Sequence, residues 1–148
     1  MGHFLRAFIG DKENLTPIQE KYYSSKLIEL SDNIFMIPMT DELFDEINQL
    51  ETSSEISSFE LLTKNIEKKI LELIEGKKLA YVESEFFGGQ GGHIGLLWEN
   101  GHRTFMGDFK KSTMNEILKR LGVIRMGLKD EFETIGLDRH RYTEDWVK

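Results

Sequence analysis

The chain contains no cysteine. A disulfide framework, a thiol nucleophile and a cysteine-ligated zinc are therefore excluded, and a reducing, cytoplasmic setting is expected. No apolar run approaches the ~18 residues of a membrane helix, and the N-terminus carries no apolar stretch of the signal-peptide kind. Lysine and arginine are missing between Thr40 and Glu60, a stretch that holds seven carboxylates. No internal repeat or low-complexity segment is present. The motifs that would announce a reaction are missing too: no Gly-Lys-Ser/Thr phosphate loop, no GxSxG, no HExxH and no CxxC occurs.

What is present fits one soluble domain spanning residues 1–148. Hydrophobic residues make up 39% and charged residues 30% of the chain, a globular rather than a disordered balance. The net charge is −7 and uneven: residues 1–100 hold 9 basic and 18 acidic groups, residues 101–148 hold 10 and 8. Such a surface repels phosphates, so neither nucleic acid nor an anionic membrane is an expected partner, whereas a basic protein is. Asp41, Glu42, Asp45, Glu46 and Glu51 are the residues expected to meet it. The plain alternative is a solvated helix face that keeps the protein in solution.

Hydrophobic periodicity orders the chain. GHFLRAFIG reads as a strand, and Thr16-Pro17 as the cap and first residue of a short helix. KLIEL and IFMIPM read as short strands. Thr40 caps TDELFDEINQL, whose Leu43, Phe44, Ile47 and Leu50 form one stripe, and residues 51–58 form a loop. TKNIEKKILELIEG is an amphipathic helix ended by Gly76. KLAYVESEFF and HIGLLWENGHRTFM follow as strands, with Asn100-Gly101 as a type I′ hairpin turn. Ser112 or Thr113 caps a helix that ends at Gly122, with Thr113 and Glu116 at capping-box spacing. The order predicts an α+β fold: a mostly antiparallel sheet with a central hairpin or meander over about residues 78–109, and helices on one face.

The segment FFGGQGGHIG raises the sharpest question, because glycine needs a local reason for its entropic cost. Taken as a hairpin with Gly88, Gly89, Gln90, Gly91 and Gly92 in the loop, it places Phe87 opposite His93 and Glu83 opposite Leu97. Glu83, Glu85 and His93 then share a face. That face is a candidate ligand site, with the glycine loop able to present backbone N–H groups to an anion and Arg139 and Arg141 able to clamp a phosphate or carboxylate. The Asp138–Arg141 segment also fits a tail docked by Trp146 and ion pairs. A solvated strand face carrying Glu and His is the plain alternative.

Three segments, YVESEFFGGQGG…W, LGVIRMGLKDEF and IGLDRHRYTEDW, resemble a set of small bacterial proteins. In that set Y-V-E-x-x-[YF]-F-G-G-x-G-x-Q precedes D-E-F and G-L-x-R-H-R-x-T-E-D-W. The opening GHFLRAFIG and MIPMTDELFDEI fit as well, and His93 stands where the set carries its last Gln. The resemblance implies bacterial or phage origin and cytoplasmic residence, and it implies no reaction. In size, acidity and class the set is similar to immunity proteins, which neutralise toxins delivered between bacteria.

Three functions are thereby expected in descending order. The first is a non-catalytic, immunity-type inhibitor of a basic protein, without catalytic residues, metal or cofactor. The second is a phosphate-, nucleotide- or metal-binding module built on the glycine loop. The third is a hydrolase using Glu83, Glu85 and His93.

Overall fold

The structure is a computed structural model that describes residues 3–31, 33–87 and 90–148. Six strands form its sheet: β1 (His3–Asp11), β2 (Ile28–Glu29), β3 (Ile34–Pro38), β4 (Leu79–Phe87), β5 (Gln90–Glu99) and β6 (His102–Lys110). They lie in the order β2-β3-β1-β4-β5-β6, and each neighbouring pair is antiparallel. Five α-helices accompany them among the described residues: α1 (Lys12–Lys21), α2 (Asp41–Asn48), α3 (Lys64–Ile74), α4 (Thr113–Arg120) and α5 (Glu131–Thr134). The fold is α+β, as expected. No described helix is long and apolar enough to cross a membrane.

The helices divide between both faces of the sheet rather than gathering on one. Phe8, Tyr81, Leu96 and Trp98 pack with Leu15 and Ile18 of α1, Leu43 and Ile47 of α2, and Ile66 and Ile70 of α3. Leu5, Ala7, Ile9, Val82 and Leu97 point the other way, against Met114, Ile117 and Leu118 of α4 and the C-terminal Leu137 and Trp146. The reason is legible in β1 itself. Residues 7–10 are buried at every position, so neither face can be left to water.

Thr40 caps α2 as expected, accepting from the Leu43 N–H at 3.1 Å, and Thr63 does the same for α3 through the Ile66 N–H at 3.2 Å. The first helix departs from expectation. It begins at Lys12, after Asp11, and carries Pro17 inside it rather than at its start. The capping box expected at Thr113 and Glu116 forms instead at Asp130 and Glu133, on α5.

The second hairpin turns at Asn100 (φ 56°) and Gly101 (φ 84°), as its sequence predicts. The first is tighter than expected. Phe87 pairs with Gln90, so only Gly88 and Gly89, which lie outside the described residues, separate the strands. Glu83 therefore faces Ile94 instead of Leu97, and His93 faces Ser84 instead of Phe87. The slip is odd in residue number, and it sends Glu83 and His93 to opposite faces. The expected shared face of Glu83, Glu85 and His93 is thereby corrected.

Gly91 explains why the pairing runs so far. A Cβ added there would lie 2.0 Å from the Glu85 carbonyl oxygen, on a residue whose φ is +138°. Glycine here allows strands to close on each other rather than to bend apart. Gly91→Ala is expected to cost about 2–3 kcal/mol in urea unfolding; an unchanged midpoint would mean that the strands part before residue 91.

The C-terminal tail docks where β3 stops. β3 pairs with β1 only from Ala7 onward, leaving the edge of residues 3–6 open. The tail fills it: the Phe4 N–H donates to the Arg141 carbonyl at 2.6 Å and the Arg6 N–H to Thr143 Oγ1 at 3.1 Å. Trp146 is buried, with Arg139 over its ring at 5.4 Å and His140 edge-on at 4.7 Å. This docking brings the tail beside the start of β1, and the site below depends on it.

Candidate functional site

The acidic residues divide into free and committed groups. Asp41, Glu42 and Asp45 are exposed on α2. Glu46 instead accepts from the backbone N–H groups of Tyr23 and Ser24, each at 2.7 Å. Glu51 pairs with Lys69 at 2.9 Å. Two of the five expected partner-binding side chains thus hold the protein to itself.

Glu83 is buried on the α1–α3 face. Its carboxylate accepts from the Glu60 N–H at 2.7 Å, the Leu61 N–H at 3.0 Å and the Tyr81 hydroxyl at 2.8 Å. Burial raises its pKa, while these donors and the Arg6 charge pull it back. Arg6 in turn pairs with Glu60. The arrangement clasps the segment before α3 to the sheet and leaves the carboxylate fully engaged. Glu85 is exposed opposite Gly92 and lines a shallow depression with Gln90, Gly91 and Phe109. Arg139 gives its Nε–H to the Gly136 carbonyl at 3.0 Å and serves the tail.

His93 and Arg141 are brought together, at a cleft of about 390 Å³ on the α4–α5 face. The start of β1 contributes His3, the β4–β5 hairpin Phe86 and His93, and the segment between β6 and α4 Lys111. Asn115, Asp130 and Phe132 come from α4 and the start of α5, Asp138 and Arg141 from the tail. Phe132 contacts both imidazoles, with ring centroids 5.3 Å from His3 and 5.7 Å from His93. Phe86 meets His93 at 4.9 Å.

The polar groups form a support and a remainder. Asp130 Oδ1 accepts from the Glu133 N–H at 2.9 Å and Oδ2 from Asn115 Nδ2 at 3.1 Å, while Asn115 Oδ1 accepts from the Phe132 N–H at 3.0 Å. This network fixes Phe132. His93 Nδ1 lies 2.5 Å from the buried Ser84 hydroxyl. Burial lowers the His93 pKa to about 4, the neighbouring His3 adds to the effect, and Asp130 opposes it. His3 is also held below its ordinary value by burial, against the Leu137 carbonyl and Asp138. Both His3 nitrogens are buried without a hydrogen-bond partner; the Leu137 carbonyl lies near enough to act on the ring's charge but does not bond it.

Both imidazoles are therefore neutral at pH 7, and they face a cleft that a small molecule could enter. Among the described residues no group of three or more His, Asp and Glu side chains is arranged to hold a metal ion. His3, Lys111, Asn115, Asp130 and Phe132 escaped the sequence reading because nothing local marks them. Tail docking and the odd hairpin register assemble them. Compared with family models, curated proteins and solved structures, the chain matches none.

Proposed function

We propose that the chain is a non-catalytic binding protein whose ligand occupies the cleft between His3, His93 and Phe132. One observation carries this reading: the buried imidazole of His93 and the half-buried one of His3, both neutral, converge with two phenylalanine rings on a single cavity. Its volume of about 390 Å³ falls inside the range of small-molecule sites, and two phenylalanine rings stand in its wall among the polar and charged side chains. Binding rather than reaction is favoured because no hydroxyl lines the cleft among the described residues and Ser84, bonded to His93, is 2% exposed. A hydrolase of Glu83, Glu85 and His93 is not proposed, since Glu83 and His93 occupy opposite faces.

A thermal-shift screen of small molecules tests the reading. At about a hundred times its dissociation constant a ligand of the native state raises the melting temperature by about 5–10 °C for a chain of this size. That rise is expected to vanish in Phe132→Ala. Hits whose shift survives that substitution, or a screen of broad chemistry without hits, would remove the cleft as the ligand site.

A second reading rests on Asp41, Glu42 and Asp45, exposed on a capped helix and without an ion pair among the described residues. They support engagement of a basic protein, as an immunity-type inhibitor would require. Reversing all three to lysine is expected to slow association with such a partner about tenfold at low ionic strength. Association rates measured across salt concentrations check this; a rate indifferent to both salt and reversal overturns it.

A further inference from the structure

We infer that the cleft takes a small anion, a carboxylate or phosphate borne on an apolar ring, which accepts a hydrogen bond from His93 and meets the charge of Lys111. The inference rests on the cleft being a ligand site and names what that ligand must offer.

Hydrogen placement is the first argument. The Ser84 hydroxyl is buried, and among the described residues its hydrogen-bond partner is His93 Nδ1. A hydroxyl hydrogen in a buried place must go to an acceptor, so Nδ1 is the acceptor and the neutral ring carries its hydrogen on Nε2. Nε2 has no partner among the described residues, and it is the nitrogen left for the cleft that His93 lines. The serine thus fixes His93 as a donor toward the cavity. His3 stands behind it, with both ring nitrogens shut off from solvent and the Leu137 carbonyl acting on the ring.

The balance of acceptors is the second. Both oxygens of Asp130 and the oxygen of Asn115 already accept from donors within the protein. What remains are donors: the Nε2–H of His93 and the Lys111 ammonium, which makes no ion pair among the described residues. Asp130 and Asp138 are the opposing charges, the first tied into its own network and the second exposed at the rim beside the tail. Arg141 adds positive charge at the same rim. A neutral amide would use the His93 donor alone, whereas an anion also gains the attraction of the exposed lysine. Phe86 and Phe132 supply the surface against which a flat apolar body packs.

The test uses three probes of one shape: benzoate, phenyl phosphate and neutral benzamide, titrated into the ¹⁵N-labelled protein. At least one of the two anions is expected to shift the amide signals of His3, His93 and Phe132 and to bind about tenfold more tightly than benzamide, following the worth of a charge-assisted hydrogen bond over a neutral one. Lys111→Met, at an exposed position, is expected to weaken the anions about fivefold and leave benzamide unchanged. Whichever anion binds more tightly identifies the head group. Benzamide binding as tightly as both anions, or anions indifferent to Lys111→Met, overturns the anion while leaving the cleft a ligand site. If none of the three perturbs those signals, the anion inference fails, and the Phe132→Ala screen decides separately whether the cleft binds anything.

Discussion

Glu83→Ala is expected to cost about 3–5 kcal/mol of stability, the magnitude seen when one partner of a buried charged network is removed. The substitution takes one acceptor away from three donors. The Tyr81 hydroxyl is fully buried, and burial together with Glu83 holds its pKa well above the ordinary value, so it stays a donor. The N–H groups of Glu60 and Leu61 lose their acceptor in the same step. Each stranded donor carries a desolvation penalty of about 1–3 kcal/mol, and some of it returns as water enters the gap. A native domain has about 5–15 kcal/mol in total, so this one carboxylate holds a large part of it. The melting temperature is expected to fall by about 10 °C or more.

Two companions separate the clasp from simple loss of volume. Glu83→Gln fills the same space but sets an amide N–H₂ against groups that are all donors, so little of the loss is expected to return. Tyr81→Phe removes one donor and leaves the other two satisfied, and about 1 kcal/mol is expected from it. Equal, small losses in all three proteins would show that the segment before α3 is held by packing of Phe59 and Leu62 and not by Glu83.

Local chemistry accounts for what the sequence made legible and what it hid. Thr40 and the Asn100-Gly101 pair act on backbone groups a few residues away, so their structural roles can be read without the rest of the chain. Thr16-Pro17 has the same local look, yet Asp11 starts α1 earlier and the helix accepts a proline in its interior. Thr16 turns its hydroxyl back to the Lys12 carbonyl at 2.7 Å, the behaviour of a threonine within a helix rather than before one. FFGGQGGHIG misleads for a related reason. Glycine permits a turn, but at Gly91 it permits two backbones to touch, and only the second use sets the register. An odd shift in register inverts every side chain, so one misplaced loop joined Glu83 and His93 on a face they do not share. The cleft could not be read at all from spacing: His3 and Arg141 stand at opposite ends of the chain and meet through the docked tail.

Acid is expected to take about 3 kcal/mol from the native state through His93. An unfolded imidazole titrates near pH 6.5, whereas in the native protein this one titrates at about 4. The native value is the lower of the two, so between those limits the unfolded chain binds the proton that the native chain refuses. Stability therefore falls as pH drops from about 6.5 to about 4, and His93 contributes no further change above or below that window. Burial of the ring sets the direction, His3 adds to it and Asp130 opposes it. Ser84 occupies Nδ1 with its hydroxyl hydrogen, His3 brings a second imidazole whose pKa is also lowered, and Lys111 and Arg141 add positive charge; Asp130 and Asp138 oppose them without prevailing. His3 adds a loss of the same sign. Urea unfolding at pH 7 and near pH 4.5 should show the wild type losing much of this stability, and His93→Gln, with no titrating ring, losing clearly less between the same two conditions. The variant will be weaker at pH 7, because it gives up packing against Phe86 and Phe132, and the comparison of differences removes that offset. An NMR titration of the His93 ring protons supplies the independent check. A midpoint near 4 belongs to a ring largely buried against Ser84, Phe86 and Phe132; a midpoint near 6.5 would show it freely hydrated and would take the expected difference in acid sensitivity between wild type and His93→Gln with it.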